Sequence, residues 1–255
     1  MNNVTPRYVS GIRPTGEIHL GNYLGAVRRW RSLEGVFFVA DLHGLGGAVQ
    51  ETAESLSRCG VQNVVVESDH KADILELYHQ LSFLTPTVLL GRMTQFKDKS
   101  ASEMATLSLF AYPVLMAADI FYFGGTHIPV GSDQMQHIEF ARDLWDVLRA
   151  RGSTSFEKPE AVIGDSPRIM SLTDATRKMS KSDPDEMSRI NVSDPPDVIR
   201  QKVRAAKTSM SMADDTPEAN NLRTIYRAVG GTRVHERWPT FKAELVDLLI
   251  VELAA

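Results

Sequence analysis

Apolar residues in this chain alternate between short continuous runs and longer stretches at helical spacing. "RYVSGI" (7–12) predicts a short strand that runs into the Pro/Gly turn "RPTG". From Leu20 the spacing becomes helical. Leu20, Leu24, Val27 and Leu33 recur, with Arg28, Arg29 and Arg31 between them. "GVFFVAD" (35–41) is a continuous apolar run ended by an acid, the pattern of a strand buried on both faces. "TAESLSRCG" predicts a short helix closed by Gly60, and "VQNVVVE" (61–67) a second buried strand. "ADILELYHQLSFL" (72–84) is an amphipathic helix. Residues 101–123 predict a long apolar helix that Pro113 should kink. "THIPVG" (126–131) is a further buried strand, and 132–152 a helix with Gly152 just beyond its end.

Strands alternating with helices predict an α/β fold, a Rossmann-like doubly wound parallel sheet. In such sheets ligands bind outside the carboxyl ends of the strands. The residues there are Gly11–Gly16, Asp41–His43 and Gly131–Gln134. After Pro184 the pattern changes. Pro195 and Pro196 open a cationic helix, two further helical segments follow at 220–231 and 241–255, and no strand is predicted. The expected organisation is a catalytic α/β domain over 1–186 and a C-terminal helical unit over 187–255.

Composition narrows the partners. The chain has 255 residues, 43% hydrophobic and 24% charged, enough for one large domain or a domain with an appendage. A net charge of −4 argues against wholesale coating of nucleic acid but leaves room for a local basic patch. Cys59 is the lone cysteine, so no intrachain disulfide can form. With no secretory pattern in "MNNVTPRYVSG", a cytoplasmic protein is expected. No Cys/His cluster has metal-ligand spacing, so no metal ligand is assigned, and no apolar run predicts a membrane partner.

Several short stretches could carry chemistry. "GIRPTGEIHLGNYLGA" (11–26) is a strand, a turn and a helix entered at His19–Asn22. Its helix start could admit a phosphate, or be only a glycine-rich turn. His43 in "DLHG" could be functional or simply a hydrogen-bonded structural histidine. Asp119 lies on a strongly apolar helix face, where a carboxylate requires a partner, protein or ligand. Asp133 and Gln134 could hold a ribose hydroxyl or cap the helix that follows. "RKMSKSDPDE" (177–186) could be a solvated loop or a mobile cationic clamp for a polyphosphate.

Taken together these stretches resemble one family. His19-Leu20-Gly21-Asn22 is similar to the His-x-Gly-His/Asn signature of class I aminoacyl-tRNA synthetases, and Lys178–Ser182 matches their Lys-Met-Ser-Lys-Ser signature without a mismatch. "RMTQFKDKSA" (92–101), "YPVLMAADI" (112–120), "PVGSDQMQHIEFARDL" (129–144) and "RIMSL" (168–172) lie between these signatures in the order of the bacterial tryptophanyl-tRNA synthetases. The resemblance covers roughly 8–250. "MTQFK" and "MAADI" favour tryptophan over tyrosine, whose enzymes share the fold.

The resemblance implies activation of L-tryptophan by ATP, with Mg²⁺ bridging phosphate oxygens, and transfer to tRNA(Trp) by a homodimer. It implies catalytic roles for His19, Asn22, Lys178, Lys181 and Ser182. ATP contacts would come from Arg13, Pro14, Thr15, Gly21, Gly131, Ser132, Asp133, Ile169, Met179 and Ser180 beside them, with Lys97 and Lys99 as a second cation pair. The indole N–H would be accepted by Asp119. Val9, Gly11, His43, Tyr112, Met116, Ile120, Ile128, Val130 and Gln134 would complete the tryptophan pocket. The sequence also departs from that pattern. Arg13 stands where many relatives carry Gln, and Val9 where some carry Phe. The segment after His43 is short. "PEANNLR" (217–223) replaces a Pro-Gly-Val-Ser-Asn-Leu-Leu run, and Thr208-Ser209-Met210 a Thr-Asp-Ser. Relatives continue past residue 255 into helices used for anticodon recognition, so the C-terminal unit is expected to be only partly anticodon-binding-like. Two alternatives stay open beside a tRNA-charging enzyme. One is a divergent paralogue serving a specialised pathway with impaired anticodon recognition, and the other a non-enzymatic tryptophan-binding or regulatory protein.

Overall fold

The computed structural model describes residues 6–100, 105–131, 134–153, 155–164 and 167–254. They group into two compact units that interleave along the chain. The first holds residues up to 14, 32–49 and 63–164; the second holds 15–31, 50–62 and the residues from 165 onward.

The first unit is built on a five-stranded parallel sheet. Its strands are β1 (Tyr8–Ile12), β2 (Gly35–Val39), β3 (Val65–Val66), β4 (His127–Val130) and β5 (Glu160–Ile163), in the order β3-β2-β1-β4-β5. β1 runs in register with β2 from Tyr8↔Gly35 to Ile12↔Val39, and β4 with β5 from His127↔Glu160 to Val130↔Ile163. The order reverses between β1 and β4, so the switch point opens at the ends of these two strands. Ser10 on β1 closes the gap there by donating its hydroxyl to the Pro129 carbonyl at 3.0 Å.

The strand pattern was legible except at the edges. The second predicted strand, 61–67, pairs only over Val65–Val66, both half-buried, because it is an edge strand with a left-handed Asn63 (φ 52°) just before it. β5 was missed, since "EAVI" is four residues long with both ends exposed. Two short helices, Thr87–Leu90 and Thr94–Ser100, also went unread. The apolar helix begins at Leu107, where Thr106 accepts the Leu109 N–H at 3.1 Å as a cap, and runs to Tyr122. Its buried Val114, Ala117, Ala118, Ile120 and Phe121 pack with Ile74, Leu81, Ile128 and Ile138 into one apolar core. Helix Met135–Ala150 ends as predicted, with Gly152 in the left-handed region at φ 89°.

The second unit is mostly helical. Its first helix spans 20–30 and contains a π-helical turn over Tyr23–Val27. Leu20, Leu24 and Val27 are buried as the spacing predicts, but the helix stops at Trp30 and leaves Leu33 outside it. Residues 190–192 run beside its entrance: Leu20 N–H donates to the Ile190 carbonyl at 2.7 Å and Val192 N–H to the Ile18 carbonyl at 2.9 Å. Helices Pro196–Ala205, Pro217–Ala228 and Trp238–Ala254 complete it; the first is started by a proline as expected, and the second starts at Pro217, three residues before the expected 220. Among the described residues no helix is long and apolar enough to cross a membrane.

Candidate active site

In the first unit the ends of β2 and β3 are laced together. The chain leaves β2 into a single turn of 3₁₀ helix, Asp41–His43. Asp41 Oδ1 accepts the Ser68 N–H at 2.9 Å, and Glu67 Oε2 accepts the Leu42 N–H at 2.9 Å. This fixes His43, whose side chain is 4% exposed, with Nε2 2.8 Å from Asp119 Oδ2 and 3.7 Å from Glu67 Oε1. Tyr112 meets the His43 ring edge-on at 4.9 Å, and His137 meets Tyr112 at 5.2 Å. His137 Nδ1 in turn lies 2.8 Å from Gln134 Oε1. A cavity of about 510 Å³ is lined by Arg13, His43, Gln95, Tyr112 and Gln134, among others. Gly47 (φ 142°) packs against Pro14 where a side chain could not, since a Cβ there would lie 2.6 Å from the Pro14 carbonyl oxygen.

The buried ends of this cluster are strongly perturbed. Burial raises the Asp119 carboxyl well above the ordinary range, with the Glu67 carboxyl beside it working the other way. Burial and then the Asp119 charge push Glu67 up to about 8. His43 is lowered by burial, which the Glu67 carboxylate partly offsets. Three polar atoms, Asp119 Oδ1, Glu67 Oε1 and His43 Nδ1, are buried without a hydrogen-bond partner.

A carboxylate on that apolar helix face requires a partner, and for Asp119 His43 is one. Of the other pocket candidates, Val9, Ile120 and Ile128 are fully buried, while Met116 and Val130 are half-buried and pack against the apolar core. Gly11 and Gly131 lie at the carboxyl ends of β1 and β4, and Arg13 and Pro14 follow β1. Glu67 was missed, although it ends an apolar run as Asp41 does. The side chain of Lys99 and the whole of Ser132 and Asp133 lie outside the described residues.

The second unit holds a different constellation. His19 is the N-cap of the 20–30 helix, and its Nδ1 accepts the Asn22 N–H at 3.3 Å. That bond assigns the proton to Nε2, leaving a donor there. Burial first, then Lys181, Lys178 and Arg189, hold His19 down to about 4, so the ring is neutral at pH 7. Gly21 keeps the turn open, because a Cβ would come within 3.0 Å of His19 Cε1 and 3.5 Å of Met179 Cβ. Lys181 donates from Nζ to the Gly16 carbonyl at 2.8 Å and is lowered by burial to about 8, against the pull of Glu51 and Glu17.

The segment bearing Lys178 and Lys181 is anchored from behind. Lys178 bridges Met170 in antiparallel fashion, Met179 N–H donates to the Ile169 carbonyl at 3.1 Å, and both Ile169 and Met179 are buried. Asn221 holds that pair in place. It is buried, accepts the Met170 N–H at 2.9 Å and donates to the Met170 carbonyl at 2.9 Å. Lys178 and Ser182 are exposed, and the Ser180 and Ser182 hydroxyls share a bond of 2.9 Å. Arg189 closes the loop behind them through the Asp183 carbonyl (3.0 Å) and Glu186 (2.5 Å). Thr15 is exposed beside Gly16. A neutral histidine and ammonium groups on a partly exposed loop form a set suited to a polyphosphate.

Comparison with known proteins supplies the family. The description "tRNA synthetases class I (W and Y)" matches residues 1–236, and the chain belongs to this family. Its curated relatives include the chloroplastic/mitochondrial tryptophan–tRNA ligase of Arabidopsis thaliana, 40% identical over 99% of this chain and 73% of the relative. The tryptophan–tRNA ligase of Rickettsia felis is 38% identical over 96% of this chain and 84% of its own. Among solved structures, tryptophanyl-tRNA synthetase of Campylobacter jejuni complexed with ADP and tryptophan superposes with a TM-score of 0.76 at 28% identity. It covers 97% of this chain and 87% of that one. A tyrosyl-tRNA synthetase of Pyrococcus horikoshii shares the fold at a TM-score of 0.69 and 21% identity, over 98% of this chain and 85% of that one.

Proposed function

We infer that this chain activates L-tryptophan with ATP, forming tryptophanyl-adenylate and pyrophosphate, and charges tRNA(Trp). Curated tryptophan–tRNA ligases at 37–40% identity over nearly its whole length support the activity. The observation that carries the choice of amino acid is Asp119, buried with one oxygen on His43 and the other without a partner. An indole N–H satisfies that second oxygen. Phenylalanine, leucine and methionine have no such donor, and would leave a buried acceptor unpaired.

No protein nucleophile is needed for adenylate formation. The tryptophan carboxylate oxygen attacks the α-phosphorus, and the bond to the leaving pyrophosphate breaks. Catalysis is positioning plus stabilisation of charge on the departing phosphates. Lys178 and Lys181 supply that charge, and His19 Nε2–H orients phosphate oxygens. Tyr112, His43, Met116 and Gln134 flank the amino acid. Neutralisation of the polyphosphate beside Lys178 and Lys181 would be supplied by Mg²⁺. Around Lys181 the charges of Lys178 and Arg189 stand beside the carboxylates of Glu17 and Glu51, and among the described residues no cluster of metal ligands is found there, which fits a metal arriving on the nucleotide. The assembly in this reading is a homodimer in the cytoplasm. Exposed Phe83, Val88 and Leu107 on the first unit are apolar groups that a partner subunit would cover.

Tryptophan-dependent exchange of labelled pyrophosphate into ATP tests the reading. Exchange with tryptophan is expected, followed by aminoacylation of tRNA(Trp). A protein that binds tryptophan without exchange would be a binder and not a ligase.

A further inference from the structure

Glu67 has none of the roles above, yet it is wholly buried (0% exposed) and held from one side only. Its Oε2 takes the Leu42 N–H, while Oε1 lies 3.7 Å from His43 Nε2 and has no hydrogen-bond partner. Atoms of His43, Glu67 and Asp119 all lie within 4.8 Å of one another. Two ionised carboxylates that close in a buried site repel strongly, so the pair retains a proton. Asp119 Oδ2 already lies 2.8 Å from His43 Nε2, and a donor there stabilises an ionised Asp119. Glu67 Oε1 has no donor at bonding distance, which makes Glu67 the holder of the proton.

We propose that Glu67 is a specificity-determining positioning residue of the tryptophan pocket. As a neutral acid it donates its proton in a hydrogen bond to the Asp119 carboxylate and keeps Asp119 singly ionised against His43, with Asp119 Oδ1 the acceptor of the indole N–H. The proposal rests on the assignment of Asp119 to the indole.

The groups facing Glu67 come from separate elements. Asp119 is on the Leu107–Tyr122 helix and His43 on the 41–43 turn. Arg13, after β1, lowers His43 by its charge, and Asp41 is engaged with Ser68. A neutral Glu67 near pH 7 agrees with a carboxyl pushed up to about 8 by burial and the Asp119 charge. Above that pH a second negative charge appears beside Asp119. The pair then draws a proton or moves apart, and the acceptor for the indole is lost.

Tryptophan Kd without ATP, measured by calorimetry at about pH 7 and about pH 9, tests this. Wild type is expected to weaken about tenfold at the higher pH. Glu67→Gln, with a permanent neutral donor in the same shape, is expected to bind equally at both. Glu67→Met, which removes the polar group, is expected to lose about tenfold at both. The same pH-dependent weakening in Glu67→Gln as in wild type would overturn the proposal, and so would wild-type affinity in Glu67→Met at pH 7. Should the Met variant fail to fold, the Gln profile decides alone. Asp119→Ala separates the two ideas: unchanged affinity there removes the indole assignment, whatever Glu67 does.

Discussion

Each constellation has a histidine with a buried side chain, and the surroundings of the two are opposite. His19 lies among Lys178, Lys181 and Arg189; His43 lies between Asp119 and Glu67. Burial lowers both rings. Around His19 the neighbouring cations add to that effect, giving a neutral ring beside ammonium groups, a surround that attracts anions. Around His43 the carboxylate works against it, giving a proton-sharing cluster with unpartnered acceptors, a surround that attracts a donor. The same residue type has a surround suited to anions in one place and to a donor in the other, and the difference lies in the charges that later parts of the chain bring to it.

The largest expected effect breaks the cationic side. Lys181→Ala should lower the rate of adenylate formation about 10²–10³-fold with little change in tryptophan KM, because the ammonium acts on charge that develops in the transition state. Exchange kinetics measure it, and equal losses in both parameters would refute the clamp role. On the acidic side, Asp119→Ala should weaken tryptophan by about 1–3 kcal/mol, the scale of a lost buried hydrogen bond to a charged group, read by calorimetry.

A third prediction sharpens the contrast through pH. Lys181, lowered to about 8, is charged below that pH and neutral above it. The kcat/KM for ATP should therefore fall as pH rises through about 8, and Lys181→Arg should remain active at pH 9 relative to its own value at pH 7. Stability carries the opposite signs of the two sites. Glu67 is raised from 4.5 to about 8, so its contribution is whole below about 4.5 and lost as pH rises toward 8. His19 is lowered from 6.5 to about 4, so its contribution is whole above 6.5 and lost as pH falls toward 4. Glu67→Gln should thus gain on wild type progressively as pH rises from 4.5 to 8, and by nothing at pH 4.5, as followed by denaturant titration. The smallest effect belongs to the scaffold. Asn221→Ala should cost about 1–2 kcal/mol of stability, from the lost bonds to the Met170 backbone, in the same titration.

Local pattern carried much of this. The runs at 7–12, 35–41 and 126–131 are strands because continuous apolar residues suit a sheet buried on both faces, and the switch point follows from their carboxyl ends. The cationic constellation was readable because its signatures are contiguous: His19–Asn22 and Lys178–Ser182. What was not readable depends on distant partners. Asn221, inside a stretch that departs from the family pattern, bonds to Met170, and nothing near either residue marks the pair. Glu67 reads as the end of a strand, and its meaning comes from Asp119 on a helix much later in the chain. The π-helical turn over 23–27 preserves the buried spacing of Leu20, Leu24 and Val27, so periodicity gives no sign of it.

The central claim is that cations around Lys181 activate ATP while a buried acceptor at Asp119 selects tryptophan. Pyrophosphate exchange run with tryptophan, tyrosine and phenylalanine tests both parts in one assay. The account predicts exchange with tryptophan, at least about 10²-fold below it with phenylalanine, and none with tryptophan once Lys178 and Lys181 are both alanine. Exchange that ignores the amino acid, or survives loss of both lysines, would contradict it.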